Sequence, residues 1–242
     1  MISVCIATYN GERFLRQQLE SIVSQLSEGD EVIVSDDGST DHTLDIVEKI
    51  ANRNRHLTIR IFHNEGEHGF TANFENALRQ ARGEYIFLSD QDDVWLPNKV
   101  RCCMQHLKKA DWVASDAVII NAEGEQIGNS RWAIRRPYRT FLGNVIKIGY
   151  IGCCMAMRRT VLSRAFPFPP NRTLCPYDYW LTLLAFTYYK VKVVDEPLIQ
   201  YRRHGGNVST GGENAHCSAK FRLPYRLYLL AHVFARCMYS NS

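Results

Sequence analysis

Over the first hundred residues the chain switches repeatedly between two hydrophobic periods, and that alternation restricts the fold class. Ile2 to Thr8 is a short, nearly continuous apolar run, fit for a strand buried on both faces. Asn10-Gly11 turns the chain, and Leu15, Leu19, Ile22 and Leu26 then recur at helical spacing. Glu31 to Ser35 is a second strand run, followed by Leu44, Val47 and Ile50 at helical spacing. Leu57 to Phe62 is a third strand candidate, and Phe70, Phe74, Ala77, Leu78 and Ala81 stripe the next helix before a fourth strand at Tyr85 to Leu88. Repeats of this kind predict an α/β layer with a parallel sheet, which binds its ligands beyond the carboxyl ends of the strands.

Three of those strand ends carry polar clusters: Thr8-Tyr9-Asn10, Asp36-Asp37-Gly38-Ser39 and Asp90-Gln91-Asp92-Asp93. The last places three carboxylates within four residues at the end of a buried strand. Like charges there repel and lose solvation, which is tolerable only if a cation or a set of donors faces them. Hard divalent ions such as Mg²⁺ or Mn²⁺ prefer oxygen ligands and commonly complete their shell with substrate phosphates. The competing readings are a solvated acidic turn at Asp90 and helix capping by Ser39 or Asp41.

The second half is less regular. Trp112 to Ile120 reads as a strand, Asn121 to Glu125 as a hairpin turn, Trp180 to Phe186 as an apolar helix and Lys190 to Val194 as a strand. Residues 129 to 150 have weak periodicity and hold Arg131, Arg135, Arg136 and Arg139. A chain of 242 residues fits one domain with a small extension. The formal charge of +4 is carried by the tail: no acid follows Glu213, whereas Lys220, Arg222, Arg226 and Arg236 do. A nucleic-acid binder would be basic more uniformly, so none is expected as a partner. The eight cysteines include no Cys-x-x-Cys and read as reduced, mostly buried residues of a reducing compartment. No signal-peptide pattern opens the chain, and no run of about eighteen apolar residues is present. In the tail, Leu227, Leu230, Val233 and Phe234 interleave with the basic residues, and a helix with Pro224 in its first turn is expected. Such a segment (213–242) either lies on an anionic membrane surface through residues 220–236, packs as an ordinary C-terminal helix, or makes an oligomer contact; a cut from a longer chain is a further reading.

In sequence order, Val4-Cys5-Ile6-Ala7-Thr8-Tyr9-Asn10, Val34 to Asp41, Gly69-Phe70-Thr71-Ala72-Asn73-Phe74, Ser89 to Trp95, Gly152 to Met155, Tyr177 to Trp180 and Tyr201 to Asn207 form a set. This set resembles family 2 glycosyltransferases, and within them the bacterial rhamnosyltransferase-like branch. The resemblance implies the GT-A fold, an α/β nucleotide-diphospho-sugar transferase fold with a mostly parallel central sheet and helices on both faces. Residues 1–212 would form the catalytic domain, with a nucleotide-binding half (1–100) and an acceptor-binding half (101–212).

Carried over by position, the resemblance implies a UDP- or dTDP-sugar donor held by Thr8, Tyr9, Asp37, Asn73 and Asp90. Asp37 would accept from the imide N–H of uracil or thymine, which donates there as cytosine does not. Asp90, Asp92 and His204 would ligate a divalent Mn²⁺ or Mg²⁺, with Arg202 and Arg203 as further candidates for phosphate oxygens. Asp178, set among Tyr177, Tyr179 and Trp180, would be the general base of an inverting reaction, its pKa raised by apolar surroundings; the local alternative is a helix N-cap. Ala72 stands where the family often has Arg. The transferred sugar, with rhamnose as the branch's example, would go to a glycan or lipid-linked acceptor at the cytoplasmic membrane face, with Gly152 to Met155 and Arg131 to Arg139 helping to form the acceptor pocket. Two rival classes are a haloacid dehalogenase-type phosphatase, whose Asp-x-Asp-x-Val pattern Asp90 to Val94 also satisfies, and a non-catalytic sugar-nucleotide-binding domain, against which Asp178 argues. A dinucleotide oxidoreductase lacks its Gly-x-Gly-x-x-Gly here.

Overall fold

The computed structural model describes residues 1–205 and 219–237, the side chains of 219–223 excepted. The alternating segments form β1 (Ile2–Thr8), α1 (Leu15–Val23), β2 (Glu31–Asp36), α2 (Thr43–Arg53), β3 (Thr58–His63), α3 (Phe70–Gln80) and β4 (Tyr85–Asp90). Then come β5 (Val94–Trp95), α4 (Lys99–Leu107), β6 (Trp112–Ile120), β7 (Gln126–Gly128), α5 (Arg131–Ile134) and α6 (Phe141–Ile146). The chain continues with β8 (Met155–Arg158), α7 (Thr160–Ala165), α8 (Tyr177–Tyr188), β9 (Val191–Arg202) and α9 (Ala219–Ala235). Every strand and helix read from the sequence between Ile2 and Leu88, and the strand at Trp112, is present.

One sheet runs through both halves in the order β3-β2-β1-β4-β8-β6-β9-β5, with β7 paired to β6. β3, β2, β1 and β4 pair in parallel, as do β6 and β9, while β8 and β5 run antiparallel to their neighbours. Alternate side chains divide the core between the two faces. Val4, Ile6, Val32, Val34, Phe87 and Val113 pack against α1, α2 and α4. Cys5, Ile33, Ile86, Leu88, Trp112 and Ala114 point the other way, toward α3, α7, α8 and α9. The expected architecture, helices on both faces of a mostly parallel sheet, therefore holds.

Two details differ from the sequence reading. β9 runs 12 residues, well past Val194, and carries the chain from the far edge of the sheet back to the acidic strand end. α9 begins at Ala219, so Pro224 lies inside the helix rather than in its first turn. α9 also packs into the core, with Leu229 at 1% and Val233 at 0% exposure, which realises the packed-helix reading for that face. Gly206 and Asn207, at the end of the Tyr201 motif, lie outside the described residues.

Candidate active site

The parallel register brings the three polar clusters to one edge. Thr8 stands opposite Asp36 and Ala7 opposite Asp90, so β1, β2 and β4 end side by side. Gln91 then clasps the end of β1: its Oε1 accepts from Tyr9 N at 2.9 Å and its Nε2 donates to Tyr9 O at 3.0 Å. The clasp requires glycine at position 11, where a Cβ would collide with Gln91 Oε1.

The two acids at the end of β2 have different tasks. Asp36 is 1% exposed and accepts from Thr8 Oγ1 (2.9 Å), Ser39 N (2.8 Å), Ser39 Oγ (2.6 Å) and Gly38 N (3.1 Å), so it builds the turn. Asp37 accepts from Asn64 Nδ2 (2.7 Å) at Oδ1 and from Gly69 N (2.8 Å) at Oδ2, with His68 Nδ1 3.1 Å from Oδ1. Thr8 is buried with its hydroxyl on Asp36, so this side chain shapes the strand end from behind. Tyr9 is 57% exposed and presents an open ring beside the Asp37 turn. Asn73 donates from Nδ2 to Thr8 O at 3.0 Å, and its buried Oδ1 has no hydrogen-bond partner among the described residues.

At the end of β4 the acids divide again. Asp93 is fully buried and its Oδ1 accepts from Arg202 N at 2.9 Å, while its Oδ2 has no hydrogen-bond partner among the described residues. Burial, followed by Asp92 and Asp90, pushes its pKa well up. Asp92 Oδ2 lies 2.9 Å from His204 Nε2, although 112 residues separate the two in sequence. The His204 ring rests against Phe14 at 4.8 Å. Burial, then Asp92 and Asp178, push Asp90 up to about 7. The Tyr177 hydroxyl donates to Asp90 Oδ1 at 3.3 Å, while the Tyr177 ring stacks on Phe74 at 4.0 Å.

This donor set fits a divalent cation, because closely spaced carboxylates are held in their charged forms most readily by such an ion. Asp90, Asp92 and His204, the expected set, do not form a group of ligating atoms within 4.8 Å of one another, whereas Asp90, Asp93 and Cys153 do. Cys153, however, is fully buried and its thiol is pushed well up, while Asp93 is sealed behind Arg202. A hard ion that must also meet a donor's phosphates suits the partly open Asp90, Asp92 and His204 better.

Arg202 cannot serve as the phosphate clamp that its motif suggested. It is 2% exposed, and its side chain donates to the carbonyls of Asp92 (2.8 Å), Asn121 (3.2 Å) and Ala122 (3.0 Å) and to Gln17 Oε1 (2.7 Å). It fixes the loop that carries Asp92 instead. Arg203 is half-buried and donates its backbone N to Ile120 O at 2.8 Å.

Asp178 is the second residue of α8, with Pro176 as the helix's N-cap, so Asp178 is not the cap. Its Oδ1 accepts from Tyr179 N at 2.9 Å. Burial pushes its carboxyl up to about 6, against the downward pull of that N–H, Arg131 and Arg135. The sequence pattern gives Gln91 no role, counts Asp93 only as one of three clustered acids and Tyr177 only as an aromatic neighbour of Asp178. The fold makes room for the Tyr177 hydroxyl at Gly152, where a Cβ would collide with it.

Residues 3–166 match the model of Glycosyl transferase family 2. The chain belongs to that family. It is 28% identical over 214 residues to an uncharacterized glycosyltransferase, alr2836, of Nostoc sp., covering 85% of this chain and 66% of that protein. It is 27% identical over 229 residues to the dTDP-rhamnosyl transferase RfbG of Shigella flexneri, covering 90% and 77%. Among solved structures, S. aureus TarS 1-349 in complex with UDP-GlcNAc superposes with a TM-score of 0.68 at 23% identity, over 85% of this chain and 59% of that one. The mannosyltransferase PcManGT of Pyrobaculum calidifontis, in complex with GDP-Man and Mn²⁺, gives 0.63 at 20%, over 100% and 65%. At those identities the structures establish the fold alone, and it is the GT-A fold expected. The chain thus spans about two thirds or less of several proteins it matches. In this family 2 glycosyltransferase the Asp90-x-Asp92 pair follows the fourth strand of the sheet, not the first as the phosphatase reading required.

Proposed function

We propose that this family 2 glycosyltransferase is a metal-dependent inverting enzyme that moves a sugar from a UDP- or dTDP-sugar to a hydroxyl of a glycan or lipid-linked acceptor. The observation that carries the reading is the meeting of Asp92 and His204 at 2.9 Å beside an Asp90 whose proton affinity is raised by burial and by both Asp92 and Asp178. Asp178 on α8 acts electrostatically on Asp90, which supports a role for the two acids in one site.

In this reading Asp37 accepts a hydrogen bond from the imide N–H of the base, and Tyr9 covers the base with its ring. Asp90 holds the ribose side and, with Asp92 and His204, would hold Mn²⁺ or Mg²⁺. A bound ion there would supply Lewis-acid neutralisation of the departing diphosphate. Asp178 takes the proton of the acceptor hydroxyl as that oxygen forms a bond to the anomeric carbon and the bond to the diphosphate oxygen breaks. Displacement from the opposite face inverts the anomeric centre. Rhamnose is one candidate sugar, supported by the match to RfbG, a dTDP-rhamnosyl transferase, and glucose another, supported by a match of equal identity to a UDP-Glc glucosyltransferase, WfaP of Escherichia coli. The setting proposed is cell-surface polysaccharide synthesis at the cytoplasmic membrane face.

Thermal unfolding with a panel of nucleotide sugars, each with and without Mn²⁺, tests the donor assignment, since a ligand bound only by the folded state raises the midpoint. A rise with a UDP- or dTDP-sugar that needs the ion is expected. No rise with any of them would remove the reading.

A further inference from the structure

We propose that the outward faces of α6 and α9 together form a surface that docks on an anionic lipid bilayer. This goes beyond the cleft chemistry and moves the expected membrane contact from the C-terminal helix alone to a composite of two helices far apart in sequence.

The two helices lie side by side. The Phe141 and Phe234 rings are 6.2 Å apart at one end, and the Arg226 guanidinium donates to Ile146 O at the other. The inner face of α9 is used by the fold through Leu229 and Val233. What remains outside is apolar as well. Leu142 is 72% and Ile146 60% exposed, four residues apart on α6 and so on one face. Leu227 at 57% and Phe234 at 52% stand seven apart on α9, again on one face. Tyr138, 48% exposed, adjoins them, since a Cβ on Gly143 of α6 would touch its ring. Five of the ten large hydrophobic side chains exposed among the described residues therefore gather on these helices and the turn before α6, a concentration that marks an interaction surface.

Charge selects the partner. From Gln126 to Tyr177 the chain has nine Lys and Arg and no Asp or Glu, and no acid occurs after Glu213. Arg136 and Lys147 are exposed beside the apolar residues, and Arg226 lies at the seam. Arg139 is paired with Asp195 and adds less. An apolar face rimmed by cations, its adjoining acid Asp195 already paired with Arg139, is complementary to anionic headgroups over acyl chains. The same surface adjoins the candidate base: Arg135, just before Tyr138, acts on both Asp178 and Tyr179. An acceptor held in the bilayer would so arrive on the Asp178 side, a corollary that rests on the function proposed above.

Flotation with phosphatidylcholine vesicles, with and without phosphatidylglycerol, tests the surface on the full chain. The protein should float with the anionic vesicles only and be released by high salt. The variant L142E/I146E, altered only at exposed positions, should lose roughly tenfold in bound fraction, with an unchanged unfolding midpoint. Absence of flotation, or equal flotation of the variant, would overturn the proposal. So would light scattering without vesicles that finds the protein dimeric and the variant monomeric, because a second copy would then own the surface. A failure of the donor assignment is distinguishable: it leaves flotation intact and abolishes nucleotide-sugar protection.

Discussion

A carboxyl that titrates near 6 is poised to act as a base at neutral pH, and Asp178 has that property because burial outweighs the pull of Arg131 and Arg135. Two outcomes follow at this residue. kcat/KM should fall by about tenfold per unit of pH below about 6, because the protonated acid cannot accept the acceptor's proton. Asp178→Asn should reduce kcat by roughly 10²–10⁴ while nucleotide-sugar protection persists, measured by product formation and thermal shift. The sign for stability is opposite to that for activity. The folded state holds this proton more tightly than the unfolded chain, so ionising Asp178 lowers stability as pH rises from 3.8 to about 6. The Asn variant escapes that loss and should unfold no earlier than the parent at pH values above that window. Tyr177→Phe keeps the stack on Phe74 but removes the donor to Asp90. A loss of about 1 kcal/mol is expected from urea unfolding, with weaker donor binding.

Among the elements, β9 links the far edge of the sheet to the acidic loop, and Arg202 at its end makes the connection. Arg202→Met would leave the Asp92, Asn121 and Ala122 carbonyls and Gln17 without this donor. A destabilisation of about 3 kcal/mol is expected in urea, together with loss of ion-assisted donor binding, since the Asp92 loop loses its anchor. Two of the elements that the sequence pattern does not reveal are hidden for different physical reasons. β5 has two residues, too few to express a period, and exists because Trp95 and Val94 pair with Ile199 and Gln200 of β9. α4 buries Lys99, Cys103 and Leu107 on one face, so a lysine interrupts its apolar stripe. Lys99 is tolerated there because its Nζ donates to Cys153 O at 2.5 Å and sits 4.6 Å from the Trp95 ring centre.

For the molecule as a whole, the basic tail helix is part of the core as well as a surface. Leu229 and Val233 enter the cluster formed by α3, α7 and α8, Tyr228 Oη accepts from Asn171 N at 2.8 Å, and Tyr188 Oη donates to Val233 O at 2.7 Å. Leu229→Ala should therefore cost about 2–5 kcal/mol. Calorimetry would register that as a fall of roughly 5–15 °C in the unfolding midpoint. A shift below about 2 °C would mean that α9 contributes little to the core.

The strand–helix alternation and the polar strand ends were legible because apolar periodicity is a local property, and a parallel sheet necessarily gathers its strand ends on one edge. Local patterns could not separate Asp36 from Asp37, or Asp92 from Asp93. Which member of each pair turns inward depends on the donors that reach it, and those come from Thr8, Asn64, Gly69 and Arg202. The pairing of Asp92 with His204, the sealing of Arg202 and the side-by-side placement of α6 with α9 all join residues far apart in the chain. Such contacts arise only when the folded sheet and its two helical layers bring the segments together, because chain connectivity alone places no constraint on them.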